Sequence, residues 1–323
     1  VKFQTFAAER LVRKGAPKAE YQKHTTGSEE SQYEMLRRLE LPQAAHGALV
    51  ARCAEQHMDF LSTPFDEESL DFLVDELGLK MIKLGSGEIT NAPLLLRSAR
   101  KGISIILSTG MSTLSEVERA LSCLAFGFCT TDDTPSGEAF FAAYASPEGQ
   151  AALRRQVTLL HCTTEYPAPF GEVNLRSILT MEHAFGLPVG YSDHTEGIAI
   201  SVAAVALGAS TIEKHFTLDK SLPGPDHRAS LEPRELAALV RSIRQVESAL
   251  GSGLKAPSPS EWKNRNVVRK SLVARQTIQK GEIFSRENMV CKRPGSGVSP
   301  FAMWSFLGRN ANRNYAEDEL IEE

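Results

Sequence analysis

Several common features are missing from this 323-residue sequence, and each absence narrows what the chain can be. Its five cysteines, Cys53, Cys123, Cys129, Cys162 and Cys291, are scattered and show no CxxC spacing. That excludes a disulfide framework or a cysteine-based zinc site and fits a reducing compartment. The net charge is −4, with no lysine- and arginine-rich run interleaved with aromatics, so nucleic acid is not expected as a partner. Within these 323 residues there is no signal-peptide pattern and no long uninterrupted apolar run. The Ala-rich stretch 198–209 is too short to span a bilayer, so a cytoplasmic location and no membrane partner are expected. No Gly-rich dinucleotide turn follows any strand-like run. Hydrophobic residues make up 42% of the chain, enough for a full core, and the length leaves room for one large domain and one small one.

The most regular feature present is an alternation. Short β-type runs begin near residues 1, 59, 81, 104, 157, 189 and 211, and most are followed by a helical pattern. Even spacing of this kind predicts an α/β fold of the (β/α)8 TIM-barrel type rather than a doubly wound sheet. An eight-stranded barrel needs one more strand, which would most simply precede Val1, so the first βα unit is expected to be missing from this chain. The firmest helix is 233–250, where Leu236, Leu239, Val240, Ile243 and Val246 form one apolar stripe. Residues 126–156 interrupt the rhythm as an excursion with one helix, 137–144. The barrel is expected over 1–250, a linker over 251–268, and a small, mostly β module over 269–323, with strands at 271–274 and 289–292.

The chemistry is expected to converge on 190–227, where two β-type runs end in His194 and His215. Parallel strands joined by a right-handed crossover leave their carboxyl ends on one face, so the two imidazoles would lie side by side. With Asp193, Glu213 and Asp226 close by they could hold a divalent metal, or they are two buried, satisfied histidines. The other strand ends carry Thr63, Ser86, Glu88, Ser108, Thr109, Thr163, Thr164 and Ser192. Individually each hydroxyl can be a turn or cap residue. Together, with Lys2 and Lys83, they form a ring of donors suited to a small anionic, phosphorylated ligand. Lys83 is either an edge lysine or an inward cation that needs an anion. Glu88 is either a loop carboxylate or a proton carrier, and His161 is either inward-facing or packed.

The motifs VKFQTF, AEYQ, STPFD, KLGSGE, ILSTGM, LLHCTTEYP, GYSDHT, EKHFTLD, PGPDHRAS and KRPGSGVSP closely resemble the sialic acid synthase family. The resemblance runs from Val1 to about residue 321. It implies a TIM barrel with a C-terminal antifreeze-like (SAF, β-clip) domain, in a domain-swapped homodimer. The implied reaction condenses phosphoenolpyruvate with an open-chain N-acetylated hexosamine, typically N-acetylmannosamine, to give N-acetylneuraminate and phosphate, with Mn²⁺ or Mg²⁺ as cofactor. Carried onto this sequence, His194 and His215 are the metal ligands. Lys2, Thr63, Lys83, Ser86, Ser108 and Ser192 contact phosphoenolpyruvate, with Phe65 of STPFD among the substrate-binding residues. Glu88, Tyr166, Glu213 and Asp226 face the sugar, and Arg293 reaches it from the partner subunit. Lys83, Glu88 and Glu213 would carry the catalysis. The family's first-strand EIGxNHxG motif has no counterpart here, and Thr164 stands where some members carry Asn. A diacetamido-dideoxy hexose leading to legionaminic or pseudaminic acid is the alternative acceptor, with 18–22 (KAEYQ) as a selectivity loop. A non-catalytic sugar-binding protein is the reading from a different class.

Overall fold

The structure is a computed structural model that describes all residues except Ser28, Thr131 and Asp132, and all described side chains except those of His24 and Thr25. The chain divides into two compact units, Val1–Gly251 and Ser252–Glu323.

In the first unit each of the seven expected runs is a strand: β1 Lys2–Thr5, β2 Leu61–Pro64, β3 Met81–Leu84, β4 Ser104–Ser108, β5 Val157–Cys162, β6 Val189–Asp193 and β7 Ile212–Lys214. β1 pairs with β2, and β3 to β7 form a five-stranded sheet in sequence order, all parallel. The result is a TIM-barrel-like fold whose described strands form two arcs. Parallel neighbours require crossovers, and helices such as Ala92–Arg100, Leu114–Cys129, Ser177–Phe185 and Ala199–Ala206 provide them, while Pro233–Leu250 follows the last strand.

Side chains alternate along each strand. Ile82, Leu84, Ile105, Leu107, Leu159, Val189 and Tyr191 pack with Leu94, Leu95, Leu121, Leu124, Ile178 and Met181 in one sheet–helix core. Gly190 is glycine because a Cβ there would lie 2.4 Å from Thr211 O and 2.6 Å from Leu160 Cδ2.

Three expectations need correction. The excursion holds two helices rather than one, Gly137–Ala145 and Pro147–Gln156, while Thr131 and Asp132 within it lie outside the described residues. Ser146 ends the first helix and caps the second, its Oγ accepting from Gly149 N–H, with Pro147 opening the new helix. The segment 251–268 is not all linker. Pro259–Val268 is a helix, started by a Ser258–Glu261 capping box. Finally, the 18–22 selectivity loop runs into a helix, Glu20–Thr26, and Lys18 is buried, donating to Thr26 Oγ1, Gly27 O and Glu30.

The second unit pairs β8 Ser271–Ala274 with β9 Met289–Lys292 in antiparallel register, as expected. Bridges Val273↔Leu320, Ile278↔Tyr315 and Ile283↔Asn310 close the fold over a core of Leu272, Ala274, Ile278, Phe284, Met289, Phe306 and Tyr315.

Candidate active site

Strand alternation makes the carboxyl-end mouth of the first unit polar. Lys83 lies between Ile82 and Leu84, which face the helices, so its side chain faces the other way. The same step places Cys162, Ser192 and Glu213 together, because Ser192 is the register partner of Cys162 on one side and of Glu213 on the other.

Glu213 is the hub of the site. Its Oε1 accepts from the Ser192 hydroxyl at 2.6 Å and lies 3.3 Å from Lys83 Nζ, while Oε2 lies 3.2 Å from Lys2 Nζ. Burial opposes its charge, but Lys83, Lys2 and the Ser192 hydroxyl overcome that penalty and hold the carboxyl at about 2. Burial pushes Lys83 below the ordinary lysine value, with Glu213 pulling it back up. Two ammonium groups share one carboxylate, so the cluster has cationic charge to spare. At the surrounding strand ends Thr63 Oγ1, Ser108 Oγ and Thr164 Oγ1 are buried with no hydrogen-bond partner. An unpaired buried hydroxyl is unfavourable by about 1–3 kcal/mol, and three of them around an ionic cluster are suited to receive ligand oxygens.

The histidines stand beside this cluster. His194 Nδ1 is 2.6 Å from Thr163 O, and since a carbonyl only accepts, the ring proton is on Nδ1 and the lone pair on Nε2. Ser192 Oγ is 3.4 Å from Nε2, but its proton is already given to Glu213, so that lone pair has no donor. Burial lowers His194 to about 4 and His215 to about 3, the latter helped by the neighbouring His194. The two rings are 5.4 Å apart, and Asp226 Oδ2 lies 3.6 Å from His215 Nδ1. Tyr166 covers both, at 4.1 Å from His194 and 5.4 Å from His215, and Tyr21 lies tilted against Tyr166 at 4.9 Å. Burial pushes Asp226 up to about 6, against the pull of His227 and Lys2.

Two neutral imidazoles, one with an unpaired ring nitrogen aimed at the mouth, fit a divalent cation. Among the described residues no group of three or more His, Cys, Asp or Glu is arranged around such a point, so further ligands would come from substrate or water. Asp193, counted by sequence among the carboxylates near the pair, is turned away from it. Its carboxylate accepts from Thr195 N and Oγ1 and from Ser201 Oγ, and pairs with Lys214 Nζ at 3.1 Å.

The contacts thus join Lys2, Lys83, Ser192, Glu213 and His194, with His215, Tyr166 and Asp226 alongside. Ser86 Oγ accepts from Gly110 N–H at 2.9 Å and lies 3.1 Å from Cys162 Sγ. Glu88 is buried, accepts from Asn91 Nδ2 at 2.7 Å, and has its carboxyl raised by burial. Phe65 packs edge-on against Phe6 at 5.8 Å. No described hydrogen bond or ion pair ties Glu88 to Glu213, and no ring contact ties Phe65 to the histidines. Arg293 lies in the second unit, exposed, with Nε donating to Val268 O at 2.8 Å. His161 is a packed histidine, its Nε2 donating to Val173 O at 2.6 Å. Sequence reasoning missed the Cys162–Ser86 contact, the Asp193–Lys214 pair and the tilted contact of Tyr21 with Tyr166. Tyr21 had a signal in its place in the AEYQ motif, and the Asp193–Lys214 pair had one in strand alternation.

Residues 1–255 match the NeuB family and residues 269–323 the SAF domain. The chain is 52% identical over 323 residues to the N,N′-diacetyllegionaminic acid synthase of Campylobacter jejuni subsp. jejuni serotype O:2, covering 100% of this chain and 90% of that one. It is 44% identical over 314 residues to the N,N′-diacetyllegionaminic acid synthase of Legionella pneumophila subsp. pneumophila, covering 97% and 82%. Among solved structures it resembles the N-acetylneuraminic acid (sialic acid) synthetase of Leptospira borgpetersenii serovar Hardjo-bovis in complex with citrate, with TM-score 0.63 and 32% identity over 81% of this chain and 78% of that one. With its barrel, its paired histidines and these matches, the chain belongs to the NeuB family and carries a C-terminal SAF domain.

Proposed function

We propose that this chain is a nonulosonate synthase that condenses phosphoenolpyruvate with an open-chain diacetamido-dideoxy hexose, giving N,N′-diacetyllegionaminic acid and phosphate. The supporting observation is the Glu213 cluster, where two lysines and unpaired hydroxyls adjoin a histidine lone pair. The N-acetylmannosamine reading favoured by sequence gives way because the relatives at 52% and 44% identity are diacetyllegionaminic acid synthases, whereas the N-acetylneuraminic acid synthetase is 32% identical.

In this reading Lys2, Lys83, Thr63, Ser86, Ser108 and Ser192 hold the carboxylate and phosphate of phosphoenolpyruvate. Glu213, kept ionised by its lysines, fixes their ammonium groups rather than moving protons. The enol C3 bonds to the aldehyde carbon, water oxygen adds to C2, and the C2–O bond to phosphate breaks. The two protons of the water end on the new hydroxyl and on phosphate. Asp226, pushed up to about 6 by burial, is suited to carry a proton near neutral pH, and burial raises the Glu88 carboxyl in the same direction. A divalent metal, Mn²⁺ or Mg²⁺, held by His194 and His215 would supply Lewis-acid polarisation of the aldehyde. Tyr166 and Tyr21 wall the acceptor side.

The decisive experiment measures phosphate release from phosphoenolpyruvate with either sugar. Faster release with the diacetamido sugar, abolished by chelator and by His215→Ala, is the expected result. Equal or faster release with N-acetylmannosamine overturns the acceptor assignment, and release indifferent to chelator overturns the metal's role. The proposal also places the enzyme in the cytoplasm as a homodimer, with Arg293 of one copy completing the other's acceptor site. Mixing Arg293→Ala with His215→Ala chains should then restore activity that neither has alone.

A further inference from the structure

We propose that Cys162 is a positioning residue: its thiol fills a lone pair of Ser86 Oγ and so leaves the Ser86 hydroxyl proton for an anionic oxygen of the substrate. The inference rests on the reading of Ser86 as a phosphoenolpyruvate contact and names a residue that reading does not use.

Cys162 ends β5 and is 5% exposed. Its register partner is Ser192, so the thiol sits in the same layer as Ser192 and Glu213. Across the mouth its Sγ lies 3.1 Å from Ser86 Oγ, which also accepts from Gly110 N–H at 2.9 Å. Gly110 can carry no side chain there, because a Cβ would lie 2.4 Å from Thr164 Oγ1, 2.8 Å from Ser86 Oγ and 2.9 Å from Cys162 Sγ. The three side-chain ends therefore close around one backbone N–H.

A serine hydroxyl has one proton and two lone pairs, and a thiol is both a weak donor and a weak acceptor. Gly110 occupies one lone pair. With no ligand bound, the Ser86 O–H can donate to Cys162 Sγ, so the hydroxyl is not left unpaired. A phosphate or carboxylate oxygen is a far stronger acceptor than sulfur. When it arrives, the O–H swings to it, and the contact with Cys162 persists only by reversal, with S–H donating to Oγ. Ser86 is thus paired in both states, whereas Thr63 and Ser108 wait with bare hydroxyls. Serine at position 162 would be a stronger acceptor that competes with the substrate for the Ser86 proton. Alanine would leave the second lone pair empty and the Ser86 rotamer unsupported.

The test uses the full chain, with Cys162→Ala and Cys162→Ser. Calorimetry first measures phosphoenolpyruvate binding to the unaltered protein. Infrared difference spectra then follow the S–H stretch, and steady-state kinetics separate the KM of each substrate from kcat. Phosphoenolpyruvate is expected to shift a thiol band that both variants lack to lower frequency. Cys162→Ala is expected to weaken phosphoenolpyruvate binding about tenfold, with kcat and acceptor KM within about twofold, and Cys162→Ser to recover part of the loss. Phosphoenolpyruvate binding that is equal in the unaltered and Cys162→Ala proteins, with no thiol band responding, overturns the role of Cys162 alone. No binding to the unaltered protein overturns the Ser86 reading and this inference together. Because the thiol band is read on unaltered protein, a variant that fails to fold does not shield the proposal.

Discussion

The mouth of the first unit and the interior of the second bury polar groups in opposite ways. In the second unit Ser271 and Asn288 are buried and fully engaged. Ser271 Oγ donates to Pro294 O at 2.7 Å and accepts from Gly297 N–H at 2.9 Å. Asn288 Nδ2 donates to Ile283 O at 3.0 Å and its Oδ1 accepts from Ser285 N–H at 2.8 Å. In the first unit Thr63, Ser108 and Thr164 bury hydroxyls that have no partner, around a lysine-rich ionic hub. Satisfied polar burial supports a fold, whereas unsatisfied polar burial at a barrel mouth marks groups held ready for a ligand. The difference is tested most sharply by substitutions that look alike in sequence and should diverge in effect.

The largest stability effect is expected behind the histidines, where the first unit does satisfy its buried charge. Asp193→Ala removes the partner of Lys214 and of four hydrogen-bond donors, Thr195 N–H and the hydroxyls of Thr195, Ser201 and Tyr191. Breaking such a pair costs about 3–5 kcal/mol, to be read as a loss of unfolding free energy in urea. The double change Asp193→Leu with Lys214→Met should recover most of it. If the single change is silent, satisfied burial does not support this unit.

Next in size is a matched pair of serines. Ser271→Ala leaves Gly297 N–H and Pro294 C=O without their partner and should destabilise by about 1–3 kcal/mol. Ser108→Ala removes a hydroxyl that has no partner, so stability should hold or rise, by no more than the cost of the unpaired group, about 1–3 kcal/mol. Phosphoenolpyruvate KM should instead rise about tenfold, equivalent to about 1.4 kcal/mol of lost binding. A Ser108→Ala chain as destabilised as Ser271→Ala would remove the distinction between the two units.

How much of this the sequence shows depends on how local the cause is. The seven strands are legible because each is a short apolar run with a helical pattern usually following it. His194 and His215 are legible because parallel strands bring their carboxyl ends to one face. The Asp193–Lys214 pair follows from the same alternation: residues beside two inward histidines must face outward, and counting Asp193 among the carboxylates close to the pair ignored that step. The Pro259–Val268 helix is hidden by the Gly-, Ser- and Pro-rich composition before it, although its Ser258–Glu261 capping box is a local signal. Cys162 and Ser86 are 76 residues apart and meet only through strand register and the turn at Gly110, which no local pattern encodes.

The smallest effect lies on the outer helical layer, where polar groups are satisfied but wet. Arg97 and Lys101 reach Asp71, and its partly exposed carboxyl is held below the usual range mainly by the hydrogen bond from Arg97. A carboxyl lowered in the folded state contributes stability above its unfolded value, near 3.9, and loses it as pH falls through the folded value. Asp71→Asn should therefore cost no more than about 1 kcal/mol at neutral pH, and progressively less as pH falls below the unfolded value. High salt should shrink the neutral-pH difference further. If instead the cost matched that of Asp193→Ala, burial would not be what separates a structural ion pair from a decorative one, and the contrast between the units would need another cause.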